Sequence, residues 1–223
     1  MSRSRTDFQP SLLGRHTPVR LCEFWVITCY FNPCRYENRF KNYLKFARNL
    51  RAQHVNLLTV ELCAGADGDL SGDVCDRYVR IAQSDVLWAK ERLLNVALQN
   101  LPAACTQVCW CDCDVLFQRP SWARLCSELL KRHRVVQPFA TAIFLGPDET
   151  PERHTQFRPS VGFARFYVHD MRGRSLINTE HVLASHPGYA WAARRDVLER
   201  IGRFYDKCIL GHGDIVMALA ACH

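Results

Sequence analysis

An uncharged eight-residue run, Phe24-Trp25-Val26-Ile27-Thr28-Cys29-Tyr30-Phe31, limits what this chain can fold into more than any other segment. It is β-rich and apolar, and Asn32-Pro33 ends it, so it reads as a buried strand. Apolar and aromatic residues then recur near helical spacing from Arg35 to Leu50, and Val55 to Leu62 reads as a second strand. Gly65 to Gly72 is a Gly- and Asp-rich loop, and Tyr78 to Ile81 a short strand. Ser84 and Asp85 supply N-cap chemistry for a helix predicted over Val86 to Leu101, which Pro102 stops. A strand from Gln107 to Phe117, a helix from Pro120 to Leu130 and a strand from Val135 to Phe139 follow. Residues 146–160 are polar and proline-bearing and read as a long loop. Gly188 to Ala193 is a strand, Arg195 to Ile201 a helix ended by Gly202, and Ile215 to Ala221 the start of an apolar helix. Strand and helix patterns in alternation predict an α/β fold with a largely parallel sheet.

At 223 residues the chain is long enough for one domain with additions or two very small ones. Residues 1–20 carry four arginines and little periodicity and read as a flexible basic lead-in, with the ordered domain expected over 21–223. A hydrophobic share of 48% and a charged share of 23% exclude a disordered or low-complexity chain. No stretch approaches the ~18–20 apolar residues of a membrane span, and no apolar run follows Met1 to Arg5 as a secretory signal requires. The expectation is a cytoplasmic protein, free or peripheral at a membrane surface. The net charge is +7, almost all of it scattered arginine. That favours a small anionic ligand and argues against nucleic acid, which wants a basic tract. The twelve cysteines contain no C-x-x-C pair. Cys109, Cys111 and Cys113 alternate on one strand face and do not make a tetrahedral metal site. Buried thiols in a reducing compartment are expected.

The sharpest chemistry lies in Trp110-Cys111-Asp112-Cys113-Asp114-Val115-Leu116-Phe117. Period 2 puts Asp112 and Asp114 on one face of a strand or its end. Two carboxylates on an apolar strand are costly to bury without a compensating cation. Mg²⁺ and Mn²⁺ are such cations, taking one or two carboxylates together with substrate phosphates. A pair of exposed acids at a strand end is the alternative.

The segments around this pair widen the pattern. In order they are Val26 to Asn32, Leu58-Thr59-Val60-Glu61, Lys90 to Leu98, the two-aspartate strand, and Gly188 to Arg195 with Ile201 to Asp206. In this motif order, over roughly residues 24–219, the chain resembles the nucleotide-diphospho-sugar glycosyltransferases of the GT-A fold, particularly family 2. The resemblance implies a single Rossmann-like GT-A domain with a mostly parallel central sheet flanked by helices. It implies a metal-dependent transfer of sugar from a nucleotide-diphosphate donor to an acceptor hydroxyl on a glycan, lipid or protein. Asp112 and Asp114 would hold a divalent metal, Mn²⁺ or Mg²⁺. Tyr30, Asn32, Glu61, Lys90, Asn95 and Asp112 would bind the donor, and Trp191 and Arg194 would lie on the acceptor side.

The family's G-E-D segment is here Gly211-His212-Gly213-Asp214, with glycine in place of the acid. Asp214 remains the candidate base, which implies inversion at the anomeric carbon. It also stands where an N-cap for a helix from Ile215 would stand. His212 and His223 are candidate further metal ligands, with a surface role as the alternative. The altered segment, and an acceptor end that looks short for the family, motivate a second reading: an inactive sugar-nucleotide or glycan-binding protein of the same fold. A nucleotidyltransferase would want a glycine-rich basic loop after the first strand, and Asn32-Pro33-Cys34-Arg35 is not one.

Overall fold

The structure, a computed structural model, describes residues 21–64, 67–83, 87, 89–146, 148–151, 160–170, 185–208 and 211–221. The expected lead-in over 1–20, the Ser84–Asp85 cap and His223 lie outside these residues. The elements run β1 (Phe24–Phe31), α1 (Glu37–Ala52), β2 (Asn56–Ala64), β3 (Arg77–Gln83), α2 (Lys90–Gln99), β4 (Gln107–Cys111) and α3 (Trp122–Leu130). There follow β5 (Val135–Val136), β6 (Thr141–Ala142), β7 (Ser160–Val161), α4 (Phe163–Asp170), β8 (Ala190–Arg194), α5 (Arg195–Arg200) and α6 (Gly213–Ala220).

A six-stranded sheet in the order β3-β2-β1-β4-β8-β5 forms the centre of a single α/β domain. The pairs β3–β2, β2–β1 and β1–β4 are parallel, while β8 is antiparallel to both β4 and β5. The largely parallel sheet is as expected, with β8 the reversed strand. Every residue of β1 is buried, as its unbroken apolar run requires. Its side chains alternate between two cores. Trp25, Ile27, Cys29 and Phe31 pack with Leu93, Leu94 and Ala97 of α2, Phe163 of α4 and Ala218 of α6. Phe24, Val26 and Tyr30 pack on the other face with Tyr43 and Phe46 of α1 and Trp122 and Cys126 of α3. Helices therefore cover both faces. The described cysteines form no disulfide, and Cys109, Cys111 and Cys113 share the second of these cores.

Several boundaries differ from the sequence pattern. α2 begins at Lys90, with Ala89 as N-cap and no side-chain cap. β4 stops at Cys111, six residues short of Phe117. It ends because the chain turns there: the Val115 N–H bonds back to the Asp112 carbonyl at 3.4 Å. β5 keeps only Val135–Val136, and α6 starts two residues before Ile215. The β6–β7 pair and α4 were not anticipated. Among the described residues no helix is long and apolar enough to cross a membrane.

Candidate active site

The strand order reverses beside β1: β1 leads to β2 and β3 on one side and to β4 on the other. In open α/β sheets ligands bind outside the carboxyl ends of strands at such a point. A cavity of about 650 Å³ lies there. Its walls are Cys29 of β1, Arg39 of α1, Lys90 and Glu91 of α2, the segment Cys111–Asp114 after β4, and Gly211–Asp214 at the start of α6.

Lys90 is the hub. Its Nζ lies 2.6 Å from Asp112 Oδ1 and 3.2 Å from Asp214 Oδ2, and its side chain is only 18% exposed. Burial works against its charge, but the two carboxylates more than offset that and raise its pKa. Asp112 is fixed from the backbone as well, its N–H donating to the Tyr189 carbonyl at 2.8 Å. Asp214 sits inside the first turn of α6, where the helix dipole favours a carboxylate. The N-cap is His212, left-handed with φ 69° and no side-chain cap, so Asp214 does not fill that role. Gly188 backs Asp214 closely: a Cβ there would stand 3.0 Å from Asp214 Oδ2.

Asp114 points into the same cavity. Burial, and then the neighbouring Asp112, push its carboxyl above the usual range, while Arg39 acts in the opposite direction. Glu91 is likewise raised by burial. Its carboxylate fills the space where any side chain at Gly213 would have to go. The cavity thus carries four carboxyl groups (Glu91, Asp112, Asp114 and Asp214) against the two cations Lys90 and Arg39. A diphosphate entering alone would meet net repulsion, so the donor set fits a divalent cation that arrives with phosphate oxygens as its other ligands. Among the described residues no group of three or more His, Cys, Asp or Glu side chains forms an all-protein metal cage. Asp112, one oxygen of which is held by Lys90, and Asp114 present carboxylates to the cavity, and His212 lines it too.

The remaining sequence candidates sit elsewhere. Tyr30 is fully buried, its ring 5.1 Å from that of Tyr43 and its hydroxyl donating to Asp69 Oδ2 at 3.2 Å. The Asn32 amide donates to the same oxygen at 2.7 Å. Glu61, 2% exposed, accepts the Asp69 N–H at 2.6 Å, the Leu70 N–H at 3.3 Å and the Tyr78 hydroxyl. Asn32, Glu61, Asp67 and Asp69 line a separate small recess at the β1–β2 end. Asn95 holds the chain after α5: it donates to the Phe204 carbonyl and accepts the Phe204 N–H, both at 2.9 Å. Trp191 is buried, 6.3 Å from Phe163, with its indole N–H on the Pro187 carbonyl at 2.6 Å. Arg194 pairs with Gln107 at the start of β4, the opposite end of that strand from Asp112, and its guanidinium meets Asp196.

Four residues near the site were not singled out from the sequence: Arg39, Glu91, His186 and Tyr189. His186 stacks on Tyr189 with ring centres 3.6 Å apart and planes 8° from parallel. Burial lowers the His186 pKa, opposed by Asp112 and Asp214. Burial, with Asp112 beside it, pushes Tyr189 up to about 12. Tyr189 also adopts φ 68°, a costly conformation for an aromatic residue. Glu91 and Tyr189 fall within the motif segments Lys90 to Leu98 and Gly188 to Arg195, whereas Arg39 and His186 are brought in by contacts distant in sequence.

No protein-family model matches the chain, and no curated protein matches it. Solved structures do. A manganese, UDP-Gal and xylobiose complex of a Drosophila β-1,4-galactosyltransferase 7 mutant matches at 12% identity and TM-score 0.45, over 88% of this chain and 60% of that one. The chain therefore spans about three fifths of that protein. A protein from Desulfovibrio desulfuricans G20 assigned as a nucleotide-diphospho-sugar transferase matches at 10% identity and TM-score 0.42, over 91% of this chain and 78% of that one. The 4-diphosphocytidyl-2C-methyl-D-erythritol synthase of Anaerococcus prevotii matches at 10% and TM-score 0.39, over 90% and 99%. At these identities and scores the likenesses carry nothing about the chemistry of this chain.

Proposed function

We propose that this protein transfers a sugar from a nucleoside-diphosphate donor to an acceptor hydroxyl, with a divalent cation. The observation that carries the reading is the Asp112–Lys90–Asp214 constellation inside a cavity at the strand-order reversal. It combines groups for a charged leaving phosphate with a separate carboxylate for a proton.

Asp112 and Asp114 would hold a Mn²⁺ or Mg²⁺ ion shared with the donor's diphosphate. Such an ion, when bound, stabilises the negative charge that builds on the leaving phosphate. Lys90 and Arg39 line the same cavity and supply fixed positive charge to those oxygens. Asp214 accepts the proton of the acceptor hydroxyl as its oxygen attacks the anomeric carbon. The bond from that carbon to the phosphate oxygen breaks, the nucleoside diphosphate leaves with the electron pair, and the sugar inverts. Gly188, backing Asp214, leaves room for the carboxylate at that position.

The test is calorimetry with UDP, GDP and their sugars, with and without Mn²⁺, on the wild type and on Asp112→Asn and Asp114→Asn. Metal-dependent binding that is lost in both variants is expected. Binding that survives unchanged in both sinks the assignment. A product retaining the donor's anomeric configuration would remove Asp214 from the role of base in a single displacement.

A further inference from the structure

The cation position of the site is already taken by a side chain. Lys90 Nζ lies 2.6 Å from Asp112 Oδ1 and also reaches both oxygens of Asp214, at 3.2 and 3.3 Å. All three side chains are largely withdrawn from water, at 18%, 32% and 33% exposure. A divalent ion that comes to Asp112 alone meets an ammonium on the same carboxylate, and like charges that close repel strongly where water is thinned. Lys90 drawn off Asp112 without another anion would keep only the longer contacts to Asp214, a loss for a largely buried cation. A diphosphate supplies that anion.

Resting on the proposed function, we infer that Lys90 stands in for the metal in the free protein and makes metal binding depend on the nucleoside diphosphate. The ion and the diphosphate enter as a pair. Lys90 then passes from Asp112 to phosphate oxygens, and in doing so it also releases Asp214. The carboxylate that takes the acceptor's proton is thereby engaged by Lys90 until the donor is in place, which ties the base to donor loading. By reciprocity, whatever the diphosphate adds to metal affinity the metal adds to diphosphate affinity.

The experiment reads metal affinity directly. Mn²⁺ alone is titrated into the wild type, Lys90→Met and Lys90→Arg, followed by electron paramagnetic resonance of the free ion. Each titration is repeated with saturating UDP and with saturating GDP. Lys90→Met is expected to bind Mn²⁺ alone about tenfold or more tightly than the wild type, and to lose a similar factor of the enhancement that the nucleotide brings. Lys90→Arg, which keeps the charge, follows the wild type. Lys90→Gln serves in place of Lys90→Met if circular dichroism shows that the latter is unfolded. Equal Mn²⁺ affinity in the wild type and the neutral variant, with nucleotide-enhanced binding intact in the wild type, overturns the inference alone. A wild type that binds neither Mn²⁺–UDP nor Mn²⁺–GDP overturns the proposed function, and the inference with it.

Discussion

Asn95 offers a decision between two roles, donor contact and structural clasp. Its amide makes both hydrogen bonds that Phe204 can offer from its backbone, each at 2.9 Å, and bridges α2 to the segment between α5 and α6. Phe204 itself is buried and stands edge-on to Trp110, 5.1 Å away. Asn95→Ala removes two bonds worth about 0.5–1.5 kcal/mol each and leaves a carbonyl and an N–H short of partners, at about 1–3 kcal/mol apiece where they are fully buried. Because both bonds are only part-buried, the lower end applies, and the loss comes to about 2–4 kcal/mol. For a chain of this length that lowers Tm by roughly 5–12 °C. Urea unfolding followed by tryptophan fluorescence, with a thermal melt alongside, measures it. Below the transition, nucleotide affinity should stay within about threefold of the wild type. An Asn95→Ala protein that melts within ~1 °C of the wild type yet binds nucleotide more than tenfold more weakly would refute the clasp and make the amide a donor contact.

Gly213→Ala places a methyl group onto the Glu91 carboxylate, so the Glu91 side chain or the start of α6 must give way beside Asp214; overpacking of this kind costs about 1–3 kcal/mol. The expected signature, read from a melt and a donor-turnover assay together, is a modest drop in Tm with a larger loss of turnover. His186 gives a pH dependence. Its folded pKa lies below the ordinary 6.5, so in the window beneath 6.5 the unfolded chain binds more protons than the native one. Stability contributed by the neutral ring is therefore complete above 6.5 and declines as pH falls through that window. Denaturant midpoints from pH 5 to 8 should show the decline, and His186→Gln should shallow it. Thiol labelling tests the core. Exposed Cys34 should react within minutes under native conditions, while Cys29, Cys109 and Cys111, buried and held well above the usual thiol pKa by that burial, stay unlabelled by peptide mass spectrometry.

What could be read from the sequence was what is decided locally. The apolar run of β1, the periodicity of α1 and the Pro102 stop after α2 each carry their own signal, and each element falls within a few residues of its expected place. Pairings between distant segments carry no such signal. Nothing within Gly188 to Arg194 says that β8 runs against β4, because direction is set by how the chain returns through residues remote from it. Glu61 shows the same limit at a single residue. An acid on the second strand looks available to a ligand, but the chain folds back so that Asp69, Leu70 and Tyr78 take up its oxygens. Lys90, Asp112, Asp114 and Asp214 could be named in advance as chemistry-bearing. That the Lys90 ammonium would reach Asp214 across 124 positions of chain while also holding Asp112 could not.

The early end of β4 accounts for how the two aspartates come to differ. Had the strand run on to Phe117, Asp112 and Asp114 would have stood on one face about 7 Å apart, two like charges over one apolar core. The turn after Cys111 instead separates their surroundings. Asp112 swings to Lys90, while Asp114, the more exposed of the two, has Arg39 of α1 as the main cation that offsets it. Phe117, freed from the strand, stacks on Trp122 with ring centres 3.6 Å apart and secures the chain where it enters α3. The main cation thus comes from a different helix for each carboxylate, Lys90 of α2 for Asp112 and Arg39 of α1 for Asp114. On the proposed function, an ion held by Asp112 and Asp114 would compete with both of these cations at once.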